Sequence, residues 1–81
     1  MRIHVLAFAH LRELLHDGAF DLELAPGGTA ADAWDELARR HPAIGAMRGS
    51  IRLARNGAIV EAGEPLREGD ELALLPPAGG G

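Results

Sequence analysis

Only one stretch of this 81-residue chain carries a helical apolar stripe long enough to cover a sheet, and that limit constrains everything else the chain can become. In residues 29–40, Ala30, Ala33, Trp34, Leu37 and Ala38 recur at the spacing that gathers side chains on one face of a helix. Thr29 is placed to cap the first turn, and Asp32 puts negative charge at the positive end of the helix dipole, approximating a capping box. Arg39, Arg40 and His41 suit the C-terminal end, and Pro42 blocks propagation. Elsewhere the apolar residues alternate. Residues 2–9 set Ile3, Val5 and Ala7 on one face and His4, Leu6 and Phe8 on the other, so both faces of this strand carry apolar weight. A single main helix shields one face of a sheet, which leaves Leu6 and Phe8 on a face open to something else.

Residues 10–16 read as a short helix with Leu11, Leu14 and Leu15 inward, stopped by Asp17-Gly18. Phe20, Leu22 and Leu24 alternate with Asp21 and Glu23 in a second strand that Pro26-Gly27-Gly28 ends. After the main helix, residues 51–55 form a strand, Asn56-Gly57 a hairpin turn and residues 58–60 a short return strand. A last strand, residues 71–75, comes after the turn at Glu68-Gly69-Asp70. This order predicts an α+β chain with one main helix and a short helix across a mixed sheet of four to five strands. The first strand is expected to be central and the last parallel beside it. That is the ubiquitin-like β-grasp architecture, with a domain over residues 1–75 and an extended C-terminal tail over residues 76–81.

Composition narrows the function. The chain has no Cys, which removes disulfides, thiolate nucleophiles and Cys-ligated metals, and fits a cytoplasmic setting. A net charge of −4 disfavours nucleic acid and anionic membranes, and no apolar run is long enough to span a bilayer. All eight basic residues are Arg, so no ε-amine is available for isopeptide linkage. The body of the chain offers little chemistry. His4, His10, His16 and His41 fall in different elements or on different helix faces, so no metal site is expected. Thr29 and Ser50 are the only hydroxyl residues, and Ser50 lacks the context of a nucleophile elbow. Gly27-Gly28-Thr29 before a helix matches neither a P-loop nor a dinucleotide fingerprint and reads as a turn with an N-cap.

The functional weight therefore falls on Pro76-Pro77-Ala78-Gly79-Gly80-Gly81. The prolines lock φ and project the residues beyond them, while three residues without side chains permit entry into a narrow channel. Fully extended, the segment reaches roughly 20 Å. The residues alone admit two readings: a projecting stalk that presents a reactive carboxylate to a partner's active site, or a frayed glycine-rich end.

The segments Phe8-Ala9-His10-Leu11-Arg12-Glu13-Leu14, Asn56-Gly57 with Val60 three residues later, Pro65-Leu66-Arg67-Glu68-Gly69-Asp70-Glu71 and Leu74-Leu75-Pro76-Pro77-Ala78-Gly79-Gly80-Gly81 together resemble the small, sulfur-carrier subunit of molybdopterin synthase across essentially the whole chain. The C-terminal half carries the more specific match. Two departures stand out: Gly79 adds a third glycine before the usual pair, and Leu74-Leu75 replaces residues that are often aromatic in the family, which should make partner contacts smaller.

The resemblance implies a function in molybdenum cofactor biosynthesis. An ATP-dependent, E1-like adenylating enzyme activates the Gly81 carboxylate, a sulfur donor protein converts it to a thiocarboxylate, and the tail inserts into the large synthase subunit to pass sulfur to a pyranopterin precursor. The chain itself is then a non-catalytic carrier that binds no cofactor. By the same resemblance, Phe8, Ile59 and Leu75 contact the partners. Three alternatives remain open: a sulfur carrier for thiamine, cysteine or tRNA thiolation, a ubiquitin-like protein modifier, and a β-grasp interaction module with an inert tail.

Overall fold

The computed structural model describes residues 1–77, in the order β1 (Arg2–Ala7), α1 (Ala9–Leu15), β2 (Ala19–Glu23), α2 (Ala30–Arg40), a 3₁₀ helix (Pro42–Ser50), β3 (Arg52–Arg55), β4 (Ala58–Val60) and β5 (Glu71–Leu75). The strands form one five-stranded sheet in the order β2-β1-β5-β3-β4. β1 and β5 run parallel, and the other neighbouring pairs are antiparallel. This is the expected β-grasp fold with one correction: β5, not β1, occupies the middle of the sheet. The β1–β2 pair and the β3–β4 hairpin are each made locally, and the last strand joins them by pairing with both.

The main helix forms for the reasons its sequence carries. Thr29 Oγ1 accepts from the Asp32 N–H at 3.2 Å and Asp32 Oδ2 accepts from the Thr29 N–H at 2.9 Å, a complete capping box. Ala30, Ala33, Trp34 and Leu37 are buried, with Ala38 half-buried beside them. They meet Ile3, Val5, Leu22, Leu53, Leu72 and Leu74 from the sheet. On the outer face, Arg39 and Arg40 both donate to Glu36, and those bonds, Arg39's first, lower the pKa of the Glu36 carboxyl to about 2.

Three local details differ from the expected pattern. β1 stops at Ala7 because Phe8 already serves as N-cap of α1, which therefore starts at Ala9. That helix is ended by His16 in the left-handed region (φ 62°), one residue ahead of the anticipated Asp17-Gly18. Residues 42–50, for which no element was foreseen, form the 3₁₀ helix, held by the fully buried Ile44 with Met47 packed against the core. By contrast the Asn56-Gly57 turn is as read. Both residues have positive φ, 49° and 88°, as a two-residue type I′ hairpin requires.

Candidate functional site

The sheet's two faces can be traced row by row, because side chains directly opposite one another across paired strands share a face. On the helix side, Ile3 opposes Leu22, while Ala7 opposes Leu74, which in turn opposes Leu53. On the other side, Ala19 opposes Leu6, Leu6 opposes Ala73, Ala73 opposes Ala54 and Ala54 opposes Ile59. That second row crosses all five strands without a polar residue. Ala54 and Ala73 are only 5% and 8% exposed although they lie outside the helix-side core. Their short side chains are recessed between larger neighbours, so the row is a shallow apolar trough.

Phe8 and Ile59 are the exposed large hydrophobic residues among those described, at 42% and 53%. Phe8 and Leu75 each come one residue after the last β1–β5 pair, Ala7 and Leu74, at the same end of the two strands. Ile59 lies on edge strand β4, at the far side of the same face. Leu75 is half-buried and pairs with Arg52. Pro76 and Pro77 come next and are exposed. The tail thus begins where the apolar face ends. Ala78, Gly79, Gly80 and Gly81, the rest of the predicted tail site, lie outside the described residues.

A polar cluster braces the opposite end of β5, and sequence reasoning passed over it. Asp70 is 8% exposed; its Oδ2 accepts from Arg55 Nε at 2.7 Å and from the Arg67 N–H at 2.8 Å, and its Oδ1 accepts from Asn56 Nδ2 at 2.9 Å. Asn56 also exchanges bonds with Glu71: its Oδ1 accepts the Glu71 N–H and its own N–H donates to the Glu71 carbonyl, each at 2.9 Å. Burial pushes the Asp70 carboxyl up, but the bonds from Asn56, Arg55 and the Arg67 amide, together with the Arg55 charge, bring it below its ordinary value of 3.8. This cluster ties the β3–β4 turn to the start of the strand that bears the tail. The nearest signal in the sequence was the Gly69-Asp70 turn beside Asn56-Gly57.

The remaining candidates resolve into structural roles. The N–H groups of Ala30 and Ala31 donate to the carbonyls of Glu64 and Ala62 at 2.9 and 2.8 Å, so the amides at the head of α2 that a phosphate would need already have partners. Ser50 Oγ donates to the Met47 carbonyl at 3.2 Å. His4 Nδ1 is 3.0 Å from Asp21 Oδ1, His10 is 3.5 Å from Glu13, and His16 and His41 are C-cap residues. Among the described residues no group of three His, Cys, Asp or Glu side chains could hold a metal ion, and no helix is long and apolar enough to cross a membrane.

Fold and site together define a class: a β-grasp domain whose single-sided helix cover leaves an apolar sheet face beside a proline-stiffened C-terminal segment. The ThiS family model matches residues 5–81, and the chain belongs to that family. Small archaeal modifier protein 1 of Haloferax volcanii is 35% identical over 82 residues, covering 91% of this chain and 94% of that protein. The molybdopterin synthase sulfur carrier subunit of Arabidopsis thaliana is 33% identical over 81 residues, covering 100% of this chain and 84% of that protein. The crystal structure of the Haloferax modifier matches with a TM-score of 0.86 at 30% identity, over 95% of this chain and 98% of that one.

Proposed function

We propose that this chain is the sulfur-carrier subunit of molybdopterin synthase, acting through its C-terminal glycine. The observation that carries the reading is the position of Pro76-Pro77, which leave β5 next to the exposed apolar face in a chain similar along its length to a carrier subunit of that name. A partner that covers the face receives the tail in the same event, which lowers the entropic cost of threading it into an active site.

The chemistry is set by the terminal group. A carboxylate is a poor electrophile; adenylation by an E1-like enzyme at the expense of ATP, with release of pyrophosphate, gives the Gly81 carbonyl a good leaving group. Attack by the outer sulfur of a persulfide on a donor protein releases AMP and leaves an acyl disulfide; a second thiol then cleaves the S–S bond, forms a disulfide with the donor and frees the thiocarboxylate. A thioacid is more acidic than a thiol, so its sulfur is anionic at neutral pH and attacks the pyranopterin precursor held by the large subunit; water then cleaves the resulting thioester, leaving the sulfur on the precursor and returning the Gly81 carboxylate. Catalytic groups belong to the partners, and this chain supplies the nucleophile and the docking surface. The similarity to small archaeal modifier protein 1 favours a second reading, in which the same activated glycine is passed to amines of other proteins.

The test uses the full chain, its adenylating enzyme, ATP, a sulfur donor and the large subunit. Deleting Gly81, or adding one residue after it, should abolish thiocarboxylate formation, seen as the exchange of one oxygen for sulfur in the intact mass, and leave the melting temperature nearly unchanged. Full synthase activity from either variant refutes the carrier reading. Covalent adducts on lysine-bearing proteins without any thiocarboxylate would establish the modifier instead.

A further inference from the structure

The apolar trough is bounded by opposite charges along the strand direction. At the end away from the tail, His4 opposes both Asp21 and Glu71, so one row of the open face reads Asp21, His4, Glu71. Asp21 is exposed and Glu71 half-buried, and His4 sits between them with its Nδ1 3.0 Å from Asp21 Oδ1. Further out on the same face, Arg2 donates to Glu23 at 3.2 Å, so that pair's charges offset each other. In the middle lies the row Ala19, Leu6, Ala73, Ala54 and Ile59. At the tail end the row contains Leu75 and, opposite it on β3, Arg52. Arg52 is exposed, and among the described residues its guanidinium makes neither an ion pair nor a side-chain hydrogen bond. Together with Arg48, Ile59 and Glu61 it lines a shallow cleft at the β3–β4 edge.

We infer that this charge polarity orients the docking partner: the surface that covers the open face presents a carboxylate to Arg52, beside the root of the tail, and cationic groups to Asp21 and Glu71. The inference rests on the carrier reading, which supplies the partner, and adds how the partner is aligned. A protein surface laid over the trough removes water from Arg52, and a guanidinium stripped of water without an acceptor is costly. Arg also presents a planar fork that a carboxylate fills with two hydrogen bonds. Rotating the partner by half a turn in the plane of the sheet would bring its carboxylate onto Asp21 and Glu71 and its cations onto Arg52. Like charges then face each other at both ends. The apolar trough provides adhesion without direction, and the charges at its two ends supply the direction that brings the tail to the mouth of the partner's channel.

The experiment measures the dissociation constant of the full chain for the molybdopterin synthase large subunit of the same organism, at low and high salt. Arg52→Glu should weaken binding by about tenfold or more and flatten the salt dependence, while Arg52→Lys, which keeps the charge and loses the fork, should weaken it clearly less than Arg52→Glu and preserve the salt dependence. The double variant Asp21→Lys, Glu71→Lys tests the other end independently and should also weaken binding by about tenfold. Melting temperatures of all variants should remain close to the parent's, since the altered side chains lie outside the core. If the parent binds and neither reversal weakens it, this inference is wrong while the carrier reading stands. If the parent itself does not bind the large subunit, the carrier reading fails and this inference falls with it.

Discussion

Replacing Phe8 with Asp should move folding and docking by very different amounts, because the side chain is divided between them. Full burial of a Phe is worth roughly 1.5–3 kcal/mol. Phe8 is 42% exposed, so about 0.6–1.3 kcal/mol of that is still available to an associating surface, and the remainder, roughly 0.9–1.7 kcal/mol, already belongs to the fold. Phe8 is also the N-cap of α1 and makes no side-chain capping bond. Asp is among the favoured N-cap residues, and a new cap with its charge near the helix's positive end contributes about 0.5–1 kcal/mol. The two effects on folding largely offset each other. Net destabilisation should stay within about 1 kcal/mol, a fall in melting temperature of no more than roughly 4–8 °C for a domain of this size.

Docking has no such offset. Phe8→Ala should weaken binding to the large subunit about three- to ninefold, from the exposed share alone. Phe8→Asp must also desolvate a carboxylate in an apolar contact and should exceed tenfold, at least about 1.4 kcal/mol. Calorimetric melting of the isolated chain and titration against the large subunit read the two quantities separately. A melting temperature lowered by more than about 15 °C would show Phe8 to be core. Unchanged affinity in both variants would show that the apolar face is not where the large subunit sits.

Asp70→Ala should act in the opposite sense, on stability rather than on docking. It strands three donors, from Arg55, Asn56 and the Arg67 amide, and should cost about 2–4 kcal/mol in thermal or denaturant unfolding. Because the folded Asp70 carboxyl lies below its ordinary 3.8, its contribution is fully present above that value and is lost as the pH falls through the lower folded value. The stability gap between parent and Asp70→Ala should therefore narrow below about pH 4, and a gap that widens in acid would contradict the assignment. Changing His4, His10, His16 and His41 singly to Gln should leave sulfur transfer within a few-fold of the parent; loss of transfer by any one of them in a folded chain would restore an acid–base or metal role.

Much of this protein is set by short-range pattern. The capping box of Thr29 and Asp32, the stripe from Ala30 to Leu37 and the Asn56-Gly57 turn each depend on residues within a few positions of one another, so they are legible before any folding is considered. The 3₁₀ helix was not legible, because Pro42, Gly45 and Gly49 interrupt the period and Ile44 is the one fully buried residue anchoring it. The buried state of Asp70 was hidden for a different reason. Its partners Arg55 and Asn56 stand 15 and 14 residues earlier, and a Gly-Asp turn by itself reads as solvent-exposed. The continuous trough arises only when Leu6 is set beside Ala73, and Ala73 beside Ala54. Sequence alone thus determined the five strands and two α-helices and that one helix could cover one sheet face, and it directed the functional reading to the C-terminal segment. Tertiary structure decided what the uncovered face contains and that the tail leaves from its edge, because strand register is a long-range choice that no local pattern encodes.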